Sequence, residues 1–295
     1  MSRVNPVPAP TPTERWLSAT QAIHWRNLPF MVLAVLGAFL MALPFLWMVS
    51  TSFRTPAEAY KLPPSLLPSR LDFSAYDHVL TSSVPFLTMY WNSFKIALLT
   101  TAGVLLNCSM AAFAFSRLNF RGRETLFSIL LLGLMVPAGL VVIPVYLGLS
   151  RLHLLDTGAA LVLPALASSF GVFMLRQFML GQPRELEEAA AVDGAGQWTV
   201  FTRISLPQLA PALSALGIIT FTASWNNYMG PLIFLKSWDK MTLPIGISIL
   251  QGFLGSGSLA VVMAAVTMAI LPLLVVFLIA QRYIIEGLAM SGVKG

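Results

Sequence analysis

Acidic side chains are concentrated in one short segment of an otherwise apolar chain. Four of the 12 Asp and Glu residues lie within nine positions: Glu185, Glu187, Glu188 and Asp193. The glycine-rich stretch 194–196 that follows is typical of a turn, and a second short helical pattern ends at Pro207. The segment therefore predicts two short helices joined by a bend. We interpret it as a docking surface, because a chain this apolar keeps so charged a segment out of the bilayer.

The residue types that catalysis and metal binding require do not form a recognisable pattern. His24, His78 and His153 are isolated from one another and from Cys108 at metal-ligand spacing. No glycine-rich phosphate-binding pattern ending in Lys and Ser or Thr is present, and no Asp or Glu lies deep within a long apolar segment. The sequence therefore predicts no metal, no cofactor, no ATP site and no enzymatic activity of the chain itself.

A polar patch interrupts one of the long apolar segments. Thr222 and Asn226 are four residues apart and share a helical face, with Asn227 beside them. If this helix begins near Pro211, Asn226 lies about 22 Å along its axis at 1.5 Å per residue. The patch is consistent with a pathway for a hydroxylated solute. It is also consistent with contacts between helices, or with an interfacial belt of aromatic and amide groups.

The composition identifies the elements that position these residues. Charged residues make up 10% and hydrophobic residues 57% of the 295, with a mean hydropathy of +0.77. Soluble domains are about 25% charged, so the chain is predicted to be an all-α polytopic membrane protein. About 20 apolar residues are needed to cross the hydrocarbon, and six segments meet that requirement. We place the spans near 30–51, 93–115, 126–148, 158–178, 211–234 and 260–281.

Positive charge in the short links indicates the orientation. Arg117, Arg121 and Arg123 crowd the link between the second and third spans, whereas the next link holds only Arg151. Because Lys and Arg collect in cytoplasmic loops, the first of these links is assigned to the cytoplasm. With six spans, both termini then lie in the cytoplasm as well. The same excess of Lys and Arg in cytoplasmic loops explains the net charge of +6, so this charge does not indicate a nucleic-acid partner. Residues 1–25 are predicted to be a cytosolic tail, and 26–295 the membrane domain.

The acidic segment falls in the link at 179–210, between the fourth and fifth spans. Pro183 suits the first turn of its first helix, because the missing N–H of proline needs no partner there. Trp198 and Phe201 lie in the second helix. Burying a large apolar side chain stabilises a protein by about 1.5–3 kcal/mol, so both rings are expected to be covered by the membrane domain or by a partner.

Residues along this link form one continuous motif: Glu188–Ala189–Ala190, Asp193–Gly194–Ala195, Phe201, Ile204, Leu206–Pro207 and Pro211. The motif resembles the EAA signature of the permease subunits of ABC-type importers. Shorter stretches resemble the branch that imports sugars and glycerol phosphates, and within it the smaller of the two permeases of maltose-type systems. Those stretches are Trp225–Asn226–Asn227–Tyr228, Thr242–Leu243–Pro244–Ile245–Gly246 and Gln281–Arg282–Tyr283.

This resemblance implies a type I ABC importer permease fold, in which the link carries coupling helices seated on a cytosolic ATPase. Glu188 would then be the polar anchor and Gly194 the bend, and Ala189, Ala190 and Ala195 would form the close-contact surface. The coupling set is completed by Asp193, Phe201, Leu206 and Pro207. Gln182 and Gly196–Gln197 depart from the family pattern. In maltose-type systems the main sugar contacts lie on the other permease, so the resemblance assigns Asn226 no sugar contact.

The implied function is import of a sugar or sugar-like solute by alternating access. The implied partners are a second permease subunit, an ABC ATPase dimer, an extracytoplasmic solute-binding protein and the lipid of a bacterial or archaeal plasma membrane. A stand-alone secondary carrier or channel for a polar solute is the alternative. The structured link and the lack of intramembrane acids favour the importer, because coupled carriers often place an ionisable group in the membrane.

Overall fold

The computed structural model describes residues 28–62, 66–252 and 257–291. Every regular element within these ranges is a helix, which confirms the all-α prediction. The tail predicted at 1–25 lies outside the described residues, as does the end of the chain after Ser291.

The first two predicted spans correspond to long continuous helices. The second of them begins at Phe86 rather than near residue 93, and its 32 residues extend about 48 Å at 1.5 Å per residue. Two short helices lie in the connection between the long ones. The four helices are α1 (Leu28–Ser52), α2 (Pro56–Ala59), α3 (Ser74–Thr81) and α4 (Phe86–Arg117).

The third and fourth predicted spans each consist of two helices separated by a break. The third is interrupted at 133–137, where Pro137 has no N–H to continue the helix. The fourth bends by 41° at 166–168, where the Ser168 hydroxyl caps the next helix by accepting from the Gly171 amide at 3.1 Å. The helices are α5 (Arg123–Leu132), α6 (Ala138–Arg151), α7 (Ala159–Ala165) and α8 (Ser169–Leu180).

The link and the fifth predicted span follow. The link contains a π-helical turn at Phe201–Ser205, and its second half meets the span at 75°. The span itself ends at Trp225 instead of continuing to 234, because Asn226 closes the helix and residues 226–228 are irregular. The helices are α9 (Glu185–Val192), α10 (Gln197–Val200), α11 (Leu206–Gln208), α12 (Ala210–Trp225) and α13 (Met229–Phe234).

The last described elements are a 3₁₀ turn at Trp238–Lys240, α14 (Leu243–Gln251) and α15 (Leu259–Ser291). Three segments are long and apolar enough to cross a membrane as single helices: Leu28–Ser52, Phe86–Arg117 and Leu259–Gln281. Counting each bent pair as one span raises the number to five in the described chain. The interrupted α5–α6 segment occupies the position of the remaining predicted span.

Helix α4 is the centre of the bundle. Its buried side chains contribute to separate apolar clusters with α12 and α15 at one end and with α8 and α12 in the middle. Near Arg117 it packs against the link instead, where Phe113 joins Val200 and Phe201. Because α4 contacts both the link and the opposite end of the bundle, it connects the two regions mechanically.

Helix α1 is exposed along most of its length, with only Thr51 and Ser52 buried. Its exposed residues are almost all apolar, as a lipid-facing or partner-facing helix requires in a membrane protein. It packs against α15, whose buried face includes Ala260, Ala264 and Ala265. Such small residues let membrane helices approach closely.

Candidate functional site

The bend in the link is fixed by its own backbone. Gly194 has a φ of +83°, a left-handed conformation that favours glycine. The amide of Ala195 donates to the Ala190 carbonyl at 2.9 Å, and that of Gly194 donates to the Ala191 carbonyl at 3.1 Å. This pair of bonds is the Schellman arrangement that ends a helix at a glycine. The bend predicted at Gly194 is therefore present, although α9 begins at Glu185 and Pro183 lies before it.

The inner face of the link is apolar and anchored in the bundle. Phe201 is buried with its ring centroid 5.2 Å from that of Phe113 in α4. Ala190 and Ala195 pack against the same cluster, on either side of the bend. Phe201 therefore holds the link to the membrane domain. We expect both aromatic rings of the link to be covered. The membrane domain of this chain covers Phe201, whereas the side chain of Trp198 is 64% exposed.

A buried ion pair ties α9 to the end of α4. Arg117 Nε lies 2.7 Å from Glu187 Oε2, and the two side chains are only 5% and 11% exposed. The hydroxyl of Ser205 donates to the other carboxylate oxygen, Oε1, at 2.8 Å. Glu187 therefore joins three parts of the structure: α4, the first half of the link and the second half. We call this group, Arg117, Glu187 and Ser205, the clasp.

The outer face of the link is uncovered. Glu188, Ala189 and Asp193 in and after α9 are exposed. Three large apolar side chains accompany them at 61%, 88% and 64% exposure: Leu186, Val192 and Trp198. Between α9, α10 and the end of α4 lies a cleft of about 160 Å³, in which Glu188 lies beside Arg117 and Glu187 of the clasp. Large apolar side chains left exposed and rimmed by polar ones are typical of a protein interface.

A second ion pair braces the bundle near the link. Arg176 in α8 is buried, and its Nη2 lies 3.1 Å from both carboxylate oxygens of Glu124 in α5. Its Nε donates to the Phe115 carbonyl, and its guanidinium lies 4.0 Å from the centroid of Phe127. Together these contacts satisfy a charge that burial would otherwise make costly.

At the opposite end of the bundle, Asp156 fastens two loops together. Its Oδ1 accepts from the amides of Lys236 and Ser237 at 2.9 Å, and its Oδ2 accepts from Lys240 Nζ at 3.1 Å. The hydroxyl of Ser237 also donates to Oδ2. The Ser237 hydroxyl and amide, followed by the Lys236 amide, hold the pKa of the Asp156 carboxyl well below its usual range. The ionised form is thus bound preferentially by the folded loops.

Replacing Asp156 by Asn is expected to loosen the 236–240 loop. The variant loses the ionic contact to Lys240 and has one acceptor oxygen in place of two. Trypsin should then cleave after Lys236 and Lys240 severalfold faster at neutral pH. Because the folded pKa is lowered, the wild-type tether is present above the ordinary carboxyl pKa and is lost as pH falls through the folded value. Asp239→Asn is the matched control, because its contact with Asn92 uses the backbone carbonyl. Equal cleavage rates for both variants would contradict the assignment.

The three candidate pathway residues are divided by the break after α12. Asn226 ends the helix, and its Nδ2 donates to the Thr222 carbonyl at 3.0 Å, so these two residues contact each other. Asn227 instead lines a small polar cavity between α4, α7 and α12, together with Ser93 and Thr242. The expectation that Asn226 lies within a helix continuing to residue 234 was therefore wrong.

Sequence reasoning missed the inward-facing charges. From the sequence alone, Arg117 indicates only the orientation in the membrane, and Glu187 is only one of four clustered acids. The signal available for Arg176 was an arginine inside a predicted span, a rare occurrence that indicates a paired charge. In the described ranges, no three His, Cys, Asp or Glu side chains come together in an arrangement that could hold a metal ion.

Residues 100–289 match the family described as the binding-protein-dependent transport system inner membrane component. The chain is 35% identical over 260 residues to the arabinooligosaccharides transport system permease protein of Halalkalibacterium halodurans, covering 88% of this chain and 93% of that one. It is also 35% identical over 257 residues to the lactose transport system permease protein of Rhizobium radiobacter, covering 86% and 91%.

The fold is similar to that of a chain in the crystal structure of a bacterial ABC transporter involved in the import of the acidic polysaccharide alginate. The TM-score is 0.76 at 24% identity, over 94% of this chain and 99% of that chain. At 24% identity this similarity is evidence for a shared fold only, and the shared fold extends over nearly the whole length of both chains.

Proposed function

The chain belongs to the family of binding-protein-dependent transport system inner membrane components, and on that premise we propose that it is the permease subunit of an ATP-driven ABC importer for a sugar or sugar-like solute. It is a multi-pass inner-membrane protein of a transport family. The observation that carries the coupling role is the link, whose inner face is anchored in the bundle while its outer face is uncovered.

The outer face of the link is proposed to seat on the ATPase. Glu188 is its exposed polar anchor, and Ala189, Asp193 and Gly194 lie beside it on the exposed surface. Ala190, Ala195, Phe201, Leu206 and Pro207 complete the coupling set by holding and shaping that surface. ATP hydrolysis is assigned to the ATPase subunit, and this chain is proposed to change conformation in response to it.

The remaining partners follow from the same family. A second permease is proposed to cover apolar surface that this chain leaves exposed, and an extracytoplasmic solute-binding protein to deliver the solute at the end where Asp156 lies. The link would then face the cytoplasm together with both termini. A sugar substrate is supported by the names of the relatives, an arabinooligosaccharide permease and a lactose permease.

The solute is proposed to pass the broken end of α12. Thr222, Asn226 and Asn227 supply polar groups there, in a bundle whose other surfaces are mainly apolar. Irregular backbone at membrane depth is tolerated where it lines a cavity, and transporter sites often form at such breaks. Of the three residues, Asn227 is the one that lines a cavity.

The test is uptake into proteoliposomes that contain the chain with the products of its neighbouring genes. Arabinobiose, lactose, maltose and glycerol 3-phosphate form the panel. We expect uptake of at least one neutral sugar that requires ATP inside, the ATPase and the binding protein. Uptake by this chain alone, driven by an ion gradient without ATP, would instead identify a secondary carrier. No uptake of any panel solute by the complete complex would contradict the sugar assignment.

A further inference from the structure

Helix α15 is divided by Pro272 into a packed half and a more open half. Before the proline, Ala260, Ala264 and Ala265 are fully buried in a cluster with residues of α4 and α12. Beside the second half, a groove of about 700 Å³ lies between α15, α4 and α12. The residues of α15 that line it are Leu271, Pro272, Val275, Val276, Ile279 and Ala280. The second half therefore has space next to the two helices against which the first half is packed.

The proline removes a hydrogen bond from α15 at this boundary. Pro272 has no N–H, so the Met268 carbonyl, four residues earlier, cannot receive its usual helical donor. The proline ring also crowds that carbonyl, and a proline inside a helix is a common point of bending for both reasons. Pro272 is the one proline within α15. The helix therefore has a single point of this kind, where its packed half meets its open half.

Two aromatic side chains from other helices donate to α15 at the same point. At the end of α12, Trp225 Nε1 donates to the Ala269 carbonyl at 3.1 Å. The Tyr90 hydroxyl of α4 donates to the Met268 carbonyl, which Pro272 leaves without a helical donor, at the longer distance of 3.4 Å. Neighbouring helices commonly satisfy backbone groups that a proline frees in a membrane. The Tyr90 and Trp225 rings also pack edge to face, with centroids 5.4 Å apart, so α4, α12 and α15 meet here.

The Trp225 side chain is held firmly and lies next to the break after α12. It is 2% exposed and stacks on Phe221, with ring centroids 5.9 Å apart and planes 12° apart. The following residue, Asn226, ends the helix, and Asn227 lines the polar cavity of the proposed solute path. One buried side chain therefore connects the proline of α15 to the broken end of α12.

We propose that Pro272 is a hinge about which the second half of α15 moves across the groove toward α4 and α12 during transport. Trp225 and Tyr90 are its positioning residues, because they hold the first half of α15 to the broken end of α12. The inference rests on the proposed ATP-driven import and names a moving part within this chain. On the groove wall, the Thr101 and Ser214 hydroxyls donate to carbonyls of their own helices at 2.7 and 2.8 Å. Closing the groove therefore leaves neither hydroxyl without a partner.

The first test restores the bond that the proline removes. Pro272→Ala supplies an amide for the Met268 carbonyl and stiffens the helix, so ATP-driven uptake by the assembled complex should fall severalfold. Because proline inside a helix is destabilising, the variant complex should melt no lower than wild type, which separates lost movement from lost folding. Wild-type uptake by Pro272→Ala would overturn the hinge.

Removing the aromatic donors tests the positioning residues. Trp225→Phe keeps a ring on Phe221 but loses the N–H, and Tyr90→Phe loses only the hydroxyl. Each should lower the amount of solute moved per ATP hydrolysed by about threefold, the equivalent of one hydrogen bond. In the Pro272→Ala background, Tyr90→Phe should have no further effect, since Met268 then has its helical donor. Tyr146→Phe is the matched control, because the described contact of Tyr146 is ring packing against Phe234. Wild-type ratios in both donor variants would show that the two residues are only packing.

The second test measures the movement directly. In a complex freed of native cysteines, spin labels replace Leu278, in the second half of α15, and Leu62, near the start of the helix; both side chains are exposed. Tyr60 holds the chain near Leu62 to that start through the Leu259 amide. Trapping with ATP and vanadate should shift the wild-type distance between the labels, and Pro272→Ala should suppress the shift.

The outcomes separate the hinge from the transport function. An equal shift in wild type and Pro272→Ala would mean that α15 moves as a rigid rod, which overturns the hinge and leaves ATP-driven import intact. No shift in the wild-type complex, together with no ATP-dependent uptake, would contradict the proposed function itself and the hinge with it.

Discussion

Glu187→Gln is expected to reduce ATP-driven uptake by at least tenfold while the ATPase still co-purifies with the permease. The substitution keeps the size of the side chain and its position on the inner side of α9, but leaves Arg117 buried with no opposite charge. Removing one partner of a buried ion pair costs about 3–5 kcal/mol. The ATPase would still bind the outer face, but its movement would no longer pass to α4 through the clasp.

A double-mutant cycle tests whether the clasp acts as a unit. Arg117→Gln should resemble Glu187→Gln, and the double variant should be no worse than either, because residues in one contact are not additive. ATPase activity that persists without uptake would be the signature of uncoupling. The prediction is wrong if Glu187→Gln loses uptake and ATPase binding in parallel, since Glu187 would then contact the partner directly. Wild-type uptake would show that the clasp is passive.

Glu188→Ala is expected to weaken binding of the ATPase itself. Glu188 is exposed at the cleft between α9 and α10, and within the described chain no ion pair involves it. Truncating a central charged contact of an interface costs at least about 2 kcal/mol, or roughly 30-fold in affinity. Co-purification of the ATPase and sugar uptake should therefore fall together, while the variant still inserts in the membrane.

Glu185→Ala is the matched control for Glu188→Ala. It removes the same charge from the first turn of the same helix, at a position that lies outside the EAA-like motif and is also exposed. Retained ATPase binding in this variant would assign the effect to the position of Glu188 rather than to the charge of α9. If Glu188→Ala binds the ATPase as tightly as wild type, the coupling role proposed for Glu188 is wrong.

The features that the sequence predicted correctly have local causes. The bend at Gly194 follows from a positive φ and two hydrogen bonds between residues at most five apart. The long helices α1, α4 and α15 follow from uninterrupted apolar stretches. The breaks in the other spans were less accessible, because a proline or asparagine inside an apolar segment can kink a helix, cap it or leave it intact according to what surrounds it.

The sequence by itself determined the class of protein, the apolar segments and the position of the charged link between the fourth and fifth spans. Only the tertiary structure decided that Glu187 is buried against Arg117 while its neighbour Glu188 stays exposed and unpaired in the described chain. Adjacent residues on a helix are separated by about 100°, so two identical side chains in succession receive different roles from the surface against which the helix packs. The small polar cavity that Asn227 lines is also formed by tertiary packing. Ser93, Thr100, Asn227 and Thr242 are up to 149 positions apart, and only the packing of the broken helices against α4 brings them together.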